Sequence, residues 1–328
     1  MSFDNLFQQF SQLKVGVIGD VMLDTYWWGK VERISPEAPV PVVAVTNKEE
    51  RIGGAANVAL NLQALGSNVF LLSVLGKDLD GDILNKLVQK NNINATYLVH
   101  SPHRITTNKI RVISRNQHMM RLDAEITDDL VKEDEDSLLA AVKNFIETIK
   151  PDVIILEDYN KGVLTDDSII KIISLCKRHN IIIAVDPKRR NFFSYKGVDI
   201  FKPNWKEVKD ALNIISEKTG AASLKEIHLQ VTAKLQHTIS LITLSEKGVF
   251  YQSGKKGSII SSHVRNVADV SGAGDTVIAV ASLVYAATKD VHLMAAMANI
   301  AGGLVCEEVG TVAIDKTKLL DECNRLLS

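Results

Sequence analysis

Asp269-Val270-Ser271-Gly272-Ala273-Gly274-Asp275-Thr276 runs directly into an apolar stretch that continues to Tyr285. Two glycines one residue apart open dihedrals closed to other residues, so successive N–H groups can converge on one cluster of oxygens. The stretch from Thr276 to Tyr285 reads as a helix. The turn therefore sits at a helix N-terminus, where unpaired amides and the macrodipole favour negative charge. Asp275 is out of place in a pure anion site, because its carboxylate competes with an incoming phosphate. It suits a general base beside a transferring phosphoryl group. Taken alone, the segment also fits an ordinary N-cap after a tight turn, and both readings stay open.

Outward from this segment, short apolar runs alternate with amphipathic stretches. Val15 to Gly19, Val69 to Val74, Val153 to Leu156, Ile181 to Val185 and Ile239 to Leu244 read as buried strands. Helices are expected over Ala55 to Leu65, Gly81 to Lys90, Asp134 to Lys150, Asp166 to His179, Trp205 to Leu212 and Ser223 to Leu235. Such alternation argues for an α/β fold with a mostly parallel sheet covered on both faces. Functional residues then belong beyond the carboxyl ends of the strands, where Asp158, Asp186 and Asn204 fall. Pro39 to Val45 and Thr106 to Ser114 read as strands without helices between them, suggesting a small projecting sheet.

With 38 Lys and Arg against 39 Asp and Glu, nothing marks a basic face for nucleic acid or an anionic membrane. The longest apolar runs are strand-sized and fall well short of the ~20 residues a membrane span needs. Met1-Ser2-Phe3-Asp4-Asn5 lacks the basic and apolar regions of a signal peptide. Cys176, Cys306 and Cys323 are odd in number and widely spaced, which fits a reducing cytoplasm and neither a disulfide framework nor a thiolate metal site.

Three segments in order, Gly53-Gly54-Ala55-Ala56-Asn57, Asn204-Trp205-Lys206-Glu207 and the opening stretch, make the chain resemble the ribokinase-like (PfkB) carbohydrate kinases. The resemblance runs from about Lys14 to about Ile314. Within that family, Gly19-Asp20-Val21-Met22-Leu23-Asp24 and Arg33 to Pro41 are similar to the D-glycero-β-D-manno-heptose-7-phosphate kinases. The resemblance implies a three-layer α/β sandwich, a kinase domain over 1–328, and a β-sheet lid from segments about 25–50 and 100–123. Such a lid often mediates dimerisation in relatives. The implied reaction is ATP-dependent phosphorylation of the anomeric hydroxyl of the heptose 7-phosphate to the 1,7-bisphosphate, on the route to ADP-heptose and the lipopolysaccharide core. Another ribokinase-like kinase (for ribose or fructose) and a non-catalytic sugar- or nucleotide-binding regulator remain as alternatives. The intact Asp275 and Gly272-Ala273-Gly274 argue against the regulator.

The resemblance makes Asp275 the base and the amides of Gly272, Ala273 and Gly274 the anion hole. Asn204 and Glu207 match the family motif that organises Mg²⁺ and the phosphate end of ATP, with Glu207 acting indirectly on the metal. Their spacing equally fits a capping pair. Thr243, Ser245, Glu246 and Gly248 resemble the nucleotide loop, and a plain β-turn is the alternative. Asn299 corresponds to the adenine side, or is a helix-surface Asn. Lys188 either reaches the ATP phosphates or is solvated. Asp269 matches the region where relatives bind a monovalent cation such as K⁺; its occupancy stays open.

On the sugar side, Asp20 and Asp24 are placed to accept hydroxyl hydrogen bonds, with Gly53, Gly54 and Asn57 letting backbone and amide approach the ring. The two glycines also fit a helix-start turn. A sugar phosphate calls for cations, and Lys109, Arg111, Arg115, Arg121 and Lys161 are the candidates, although charges on a lid strand often serve only solvation or edge protection. Lys109, Arg111 and Arg115 are expected on one strand face. Only Val312 to Ser328 follow the matched region, an amphipathic helix too short for the nucleotidyltransferase domain some relatives carry there. A stand-alone kinase is the expectation.

Overall fold

The computed structural model describes residues 2–115, 117–215, 219–263 and 265–327. Its strands are, in chain order, β1 (Lys14–Gly19), β2 (Val21–Ile34), β3 (Pro41–Gly54), β4 (Asn68–Gly76), β5 (Asn94–Ser101), β6 (Asn108–Ser114), β7 (Gln117–Ala124), β8 (Val153–Glu157), β9 (Ile182–Asp186), β10 (Ile200–Phe201), β11 (Ile239–Thr243), β12 (Val249–Ser253) and β13 (Lys256–Ile260). Nine form a central sheet in the order β13-β12-β11-β10-β9-β8-β1-β4-β5, and four form a second sheet, β3-β2-β6-β7. From β11 to β5 the central sheet is parallel, with β12 and β13 antiparallel at one edge.

Parallel strands covered on both faces must be apolar on both. Val15, Val17 and Ile155 pack with the helices Ala55–Ala64, Ala273–Thr288 and Val291–Val305. Ile18, Ile154 and Leu156, the alternate residues, pack with Lys132–Ile149 and Asp166–Arg178 on the other side. This is the layered α/β arrangement read from the sequence. The helix boundaries also fall close to expectation: Trp205–Leu212 is unchanged, and the helix expected from Asp134 begins at Lys132.

The second sheet is larger than the two strands read from the sequence. β2 continues from the first strand after a break at Asp20 and pairs antiparallel with β3 and parallel with β6. β3 runs well past Val45 to Gly54 because polar residues such as Lys48 and Glu50 occupy strand positions on a sheet with two accessible faces. One correction concerns Arg115. It lies beyond the end of β6 in a turn, with φ +49°, so it does not share the face of Lys109 and Arg111. Six extended residues from Lys109, it stands roughly 20 Å away at the far end of the strand.

Gly54 joins the second sheet to the body. Its φ of +60° suits glycine, and a Cβ there would stand 2.4 Å from the Asp20 carbonyl oxygen. That carbonyl accepts the amide of Ala55 at 2.9 Å, which starts the helix carrying Asn57. Gly54→Ala should lower stability by about 1–3 kcal/mol, read as a shift of the denaturant midpoint. An unchanged midpoint would show that this junction tolerates a side chain.

Candidate active site

Strand register brings the first carboxylates together. Glu157 ends β8, Asp186 ends β9, and the two are register partners. Adjacent strands lie about 4.8 Å apart, so side chains leaving from paired ends meet. Asp20 follows β1, whose Gly19 pairs with Glu157. Lys202 follows β10, and its amide donates to Val185 in β9. Across these ends lies the helix Ala273–Thr288, entered through Gly272 at φ +79°. A Cβ on Gly272 would come within 2.8 Å of the Asn57 amide nitrogen, so this position needs glycine for space as well as for conformation.

Asp275 is buried in the first turn of that helix. Asn57 Nδ2 donates to its Oδ2 and the Tyr159 hydroxyl donates to its Oδ1, each at 2.7 Å. Burial pushes its carboxyl up to about 6, while the bonds from Asn57 and Tyr159 pull the other way. Tyr159 is itself held well above the usual phenol range by burial and by Asp275, so it stays protonated and remains a donor. The Asp275 carboxyl is therefore largely ionised at neutral pH, dry, and fixed through both oxygens. The amide of Ala273 contacts the Val270 carbonyl at 3.3 Å, whereas those of Gly272, Gly274 and Asp275 have no partner among the described residues. They are the groups at this helix start that remain able to bind an anion.

Cations flank the carboxylates. Lys202, almost fully buried, pairs with Asp186 at 2.7 Å. Lys188 pairs with Glu207 at 2.7 Å and lies 3.7 Å from Asp186. Burial alone would lower the Lys188 ammonium, but Asp186, Glu207 and Glu157 outweigh it and hold the group above its ordinary range. Asn204 and Glu207 form a reciprocal capping box, both bonds at 2.8 Å, so the capping reading holds and Glu207 reaches toward Lys188 as well. Thr243 borders Asn204 at the end of β11. Ser245, Glu246 and Gly248 make the turn into β12, with Gly248 at φ +96°. Asn299 donates to the Ser261 carbonyl at 2.9 Å. Asp269 accepts from Ser271 and from the Gly310 amide; these bonds outweigh burial and keep its carboxyl below the usual range.

On the opposite side, the loop after β8 carries several roles at once. Asp20 accepts the amides of Tyr159 at 2.7 Å and of Lys161 and Val163 at 3.1 Å each. Burial and Asp158 nevertheless raise its carboxyl to about 6. Three of its lone pairs are thus engaged in fixing the loop. Buried Arg104 adds bonds to the carbonyls of Lys161 and Asp128. Asp24 pairs with Arg111 at 2.5 Å and accepts from Thr311, and Gly53 in β3 lies against it. Lys161 pairs with Glu125 at 2.7 Å. Lys109, half-buried, makes no ion pair among the described residues; burial first, then Lys161 and Arg121, lowers its ammonium. Arg121 is exposed and paired with Asp123.

The structure thus brings Asp275, Gly272, Gly274, Asn57, Lys188 and Glu207 to one end of the sheet, with Asp20 anchoring the loop beside them. Asn57, expected against the sugar ring, is bonded to Asp275 instead. Glu157, Tyr159 and Lys202 also belong to this cluster, and none of them is among the site residues read from the sequence. Position just past an apolar run singled out Asp186, and the same signal applies to Lys202 after Ile200-Phe201. A groove of about 520 Å³ lined by Leu13, Asp152 and Asn180 lies at the amino ends of the strands, away from this chemistry.

A buried carboxylate at a helix N-terminus, with buried lysine–carboxylate pairs beside it at the carboxyl ends of a parallel sheet, is an arrangement that suits phosphoryl transfer. The chain belongs to the pfkB family of carbohydrate kinases, whose family model matches residues 12–318. It is 38% identical over 311 residues to the bifunctional protein HldE of Desulfatibacillum aliphaticivorans, covering 94% of this chain and 63% of that protein. The HldE of Geobacter sulfurreducens is likewise 38% identical, over 97% of this chain and 64% of its own length. The chain therefore spans somewhat under two thirds of these curated relatives. Among solved structures, phosphofructokinase-2 of Escherichia coli in complex with substrates and products superposes with a TM-score of 0.78 at 17% identity, covering 95% of this chain and all of that one. Arabidopsis thaliana ribokinase complexed with ribose and ATP gives 0.72 at 17%, covering 94% and 98%. The protein is a sugar kinase with a ribokinase-like fold.

Because the Tyr159 hydroxyl stabilises the ionised form of Asp275, Tyr159→Phe should raise that carboxyl. The acid limb of the kcat/KM profile should then move to higher pH by up to about one unit. An acid limb in the same place would mean that Tyr159 does not act on the base.

Proposed function

We propose that this chain transfers the γ-phosphoryl group of ATP to the anomeric hydroxyl of D-glycero-β-D-manno-heptose 7-phosphate, giving the 1,7-bisphosphate for ADP-heptose and the lipopolysaccharide core. The observation that carries this reading is Lys109, half-buried, without an ion pair of its own among the described residues, and within electrostatic reach of Lys161 as well as of Asp123 and Glu125. Lys161 already has Glu125 and Asp123 offsets part of the charge, so Lys109 is the ammonium left to a substrate phosphate, which an unphosphorylated sugar does not supply. Lys161 is two residues from Tyr159, which touches the base, so a sugar phosphate held there has its other end near Asp275. The similarity to the HldE proteins over nearly the whole chain supports the same substrate class.

In the proposed reaction Asp275 accepts the proton of the sugar hydroxyl as that oxygen bonds to the γ-phosphorus. The bond from phosphorus to the bridging oxygen breaks, and ADP leaves. The free amides of Gly274 and Asp275 face the charge that develops on the phosphoryl oxygens. Lys188 and Lys202 bring positive charge to the same end, and Thr243 to Gly248 with Asn299 border the nucleotide. The family uses ATP with Mg²⁺, and the donor set here is hard oxygen, which suits that ion. Glu207 would act on it through water, since both its oxygens are engaged by Lys188 and the Asn204 amide. Mg²⁺, when bound, neutralises phosphate charge. A monovalent cation beside Asp269 is part of this reading, as is a homodimer through the lid, whose Val45, Met120 and Leu122 are exposed. We place the enzyme in the cytoplasm; among the described residues no helix is long and apolar enough to cross a membrane.

The test is an ADP-release assay over heptose 7-phosphate, fructose 6-phosphate, ribose and unphosphorylated hexoses. Heptose 7-phosphate should give the highest kcat/KM. Lys109→Ala should lower that value by about tenfold or more, chiefly through KM, since a charge-assisted bond contributes about 1.5–3 kcal/mol. Equal efficiency on ribose or fructose would replace the heptose reading with that of another sugar kinase.

A further inference from the structure

Glu157 has no part in the reaction as described, yet it stands at the centre of the site. It is fully buried, and neither carboxylate oxygen has a hydrogen-bond partner among the described residues. Asp186 Oδ1 is likewise without one. Carboxylate oxygens of Glu157, Asp186 and Asp275 all lie within 4.8 Å of one another. The neighbouring lysines do not resolve this crowding: Lys202 and Lys188 form their ion pairs with Asp186 and Glu207, and neither pairs with Glu157. The contrast with Glu207 is direct. The carboxylate of the family motif is satisfied within the protein through both oxygens, whereas the one at the end of β8 is satisfied through neither.

A buried ionised carboxylate is tolerated when it is paired or coordinates a metal. Here three carboxylate oxygens converge from three separate elements, two strand ends in register and one helix start. Convergent hard oxygens suit Mg²⁺ or Mn²⁺ and disfavour softer metals. We infer that Glu157 and Asp186, whose unpartnered oxygens face one another, hold a divalent cation directly and before nucleotide arrives, with Asp275 beside it left free as the base. The site is built by the chain itself. It rests on reading this end of the sheet as the phosphoryl-transfer centre and adds to that reading an inner cation position that Glu157 creates.

The experiment uses the full chain, stripped with EDTA and free of nucleotide and sugar. Mn²⁺ is titrated while the free-ion electron paramagnetic resonance signal is followed. One Mn²⁺ should bind per chain, and Glu157→Gln should weaken it by about tenfold or more. In EDTA the variant should melt no lower than the parent, because it relieves a buried, unpartnered carboxyl crowded against Asp186 and Asp275. Millimolar Mn²⁺ should raise the melting temperature of the parent much more than that of the variant. If Glu157→Gln does not fold, Glu157→Asp, which draws the carboxylate back by one methylene, should bind Mn²⁺ more weakly than the parent. Absence of Mn²⁺ binding to the nucleotide-free parent overturns the inference, as does unchanged affinity in the folded variant. Cation binding through Glu157 with a different sugar preferred in the ADP-release assay would remove only the substrate reading.

Discussion

A carboxylate held ionised and dry at the start of a helix is the constraint on which the rest of the site depends. Raising Asp275 from its ordinary 3.8 to about 6 means that keeping it charged at neutral pH costs the fold about 3 kcal/mol. The sign follows from proton uptake. Between those two values the folded chain binds more protons than the unfolded one, so this contribution to stability falls as pH rises through the window. A large α/β core can carry such a cost. In the proposed reaction the return is a base whose proton affinity lies near neutrality, where general-base catalysis is most effective. The neutral donors Asn57 and Tyr159 fix the carboxylate without adding a charge that would lower it further.

Those two donors tie the base to both halves of the molecule. Asn57 lies on the helix that follows the lid strand β3 through Gly54, and Tyr159 lies on the loop after β8. That loop is pinned by Asp20 and Arg104 and also carries Lys161, which acts electrostatically on Lys109 in the second sheet. Loop position and the orientation of Asp275 are therefore linked through hydrogen bonds from Tyr159, whose loop Asp20 holds. A sugar phosphate that draws Lys109 and Lys161 together would act on the same loop that holds the base.

The sequence made the central sheet and the glycine-rich turn legible because both are local signals. Buried strands such as Val153 to Leu156 announce themselves as apolar runs, and Gly272 carries the dihedral that its place in the pattern requires. The carboxylate cluster was not legible, because Glu157 and Asp186 meet only through the register of β8 with β9. No spacing along the chain encodes that. Tyr159 was hidden for a related reason: its hydroxyl reaches Asp275 across 116 residues of sequence. The lid was only half visible, since strands such as β7 are exposed along their length and show no buried face. Asn204 and Glu207 show how two readings of one motif can coexist, the cap being formed while Glu207 still meets Lys188.

The central claim is that Asp275 is ionised at working pH and that its protonation switches the enzyme off. The direct measurement is a carboxyl ¹³C NMR titration, with the Asp275 signal assigned by its absence in Asp275→Asn, set beside the pH dependence of kcat/KM. The expected result is a carboxyl titrating near pH 6 that coincides with the acid limb of activity. A carboxyl titrating near its ordinary 3.8, or an acid limb that does not follow it, would contradict the claim.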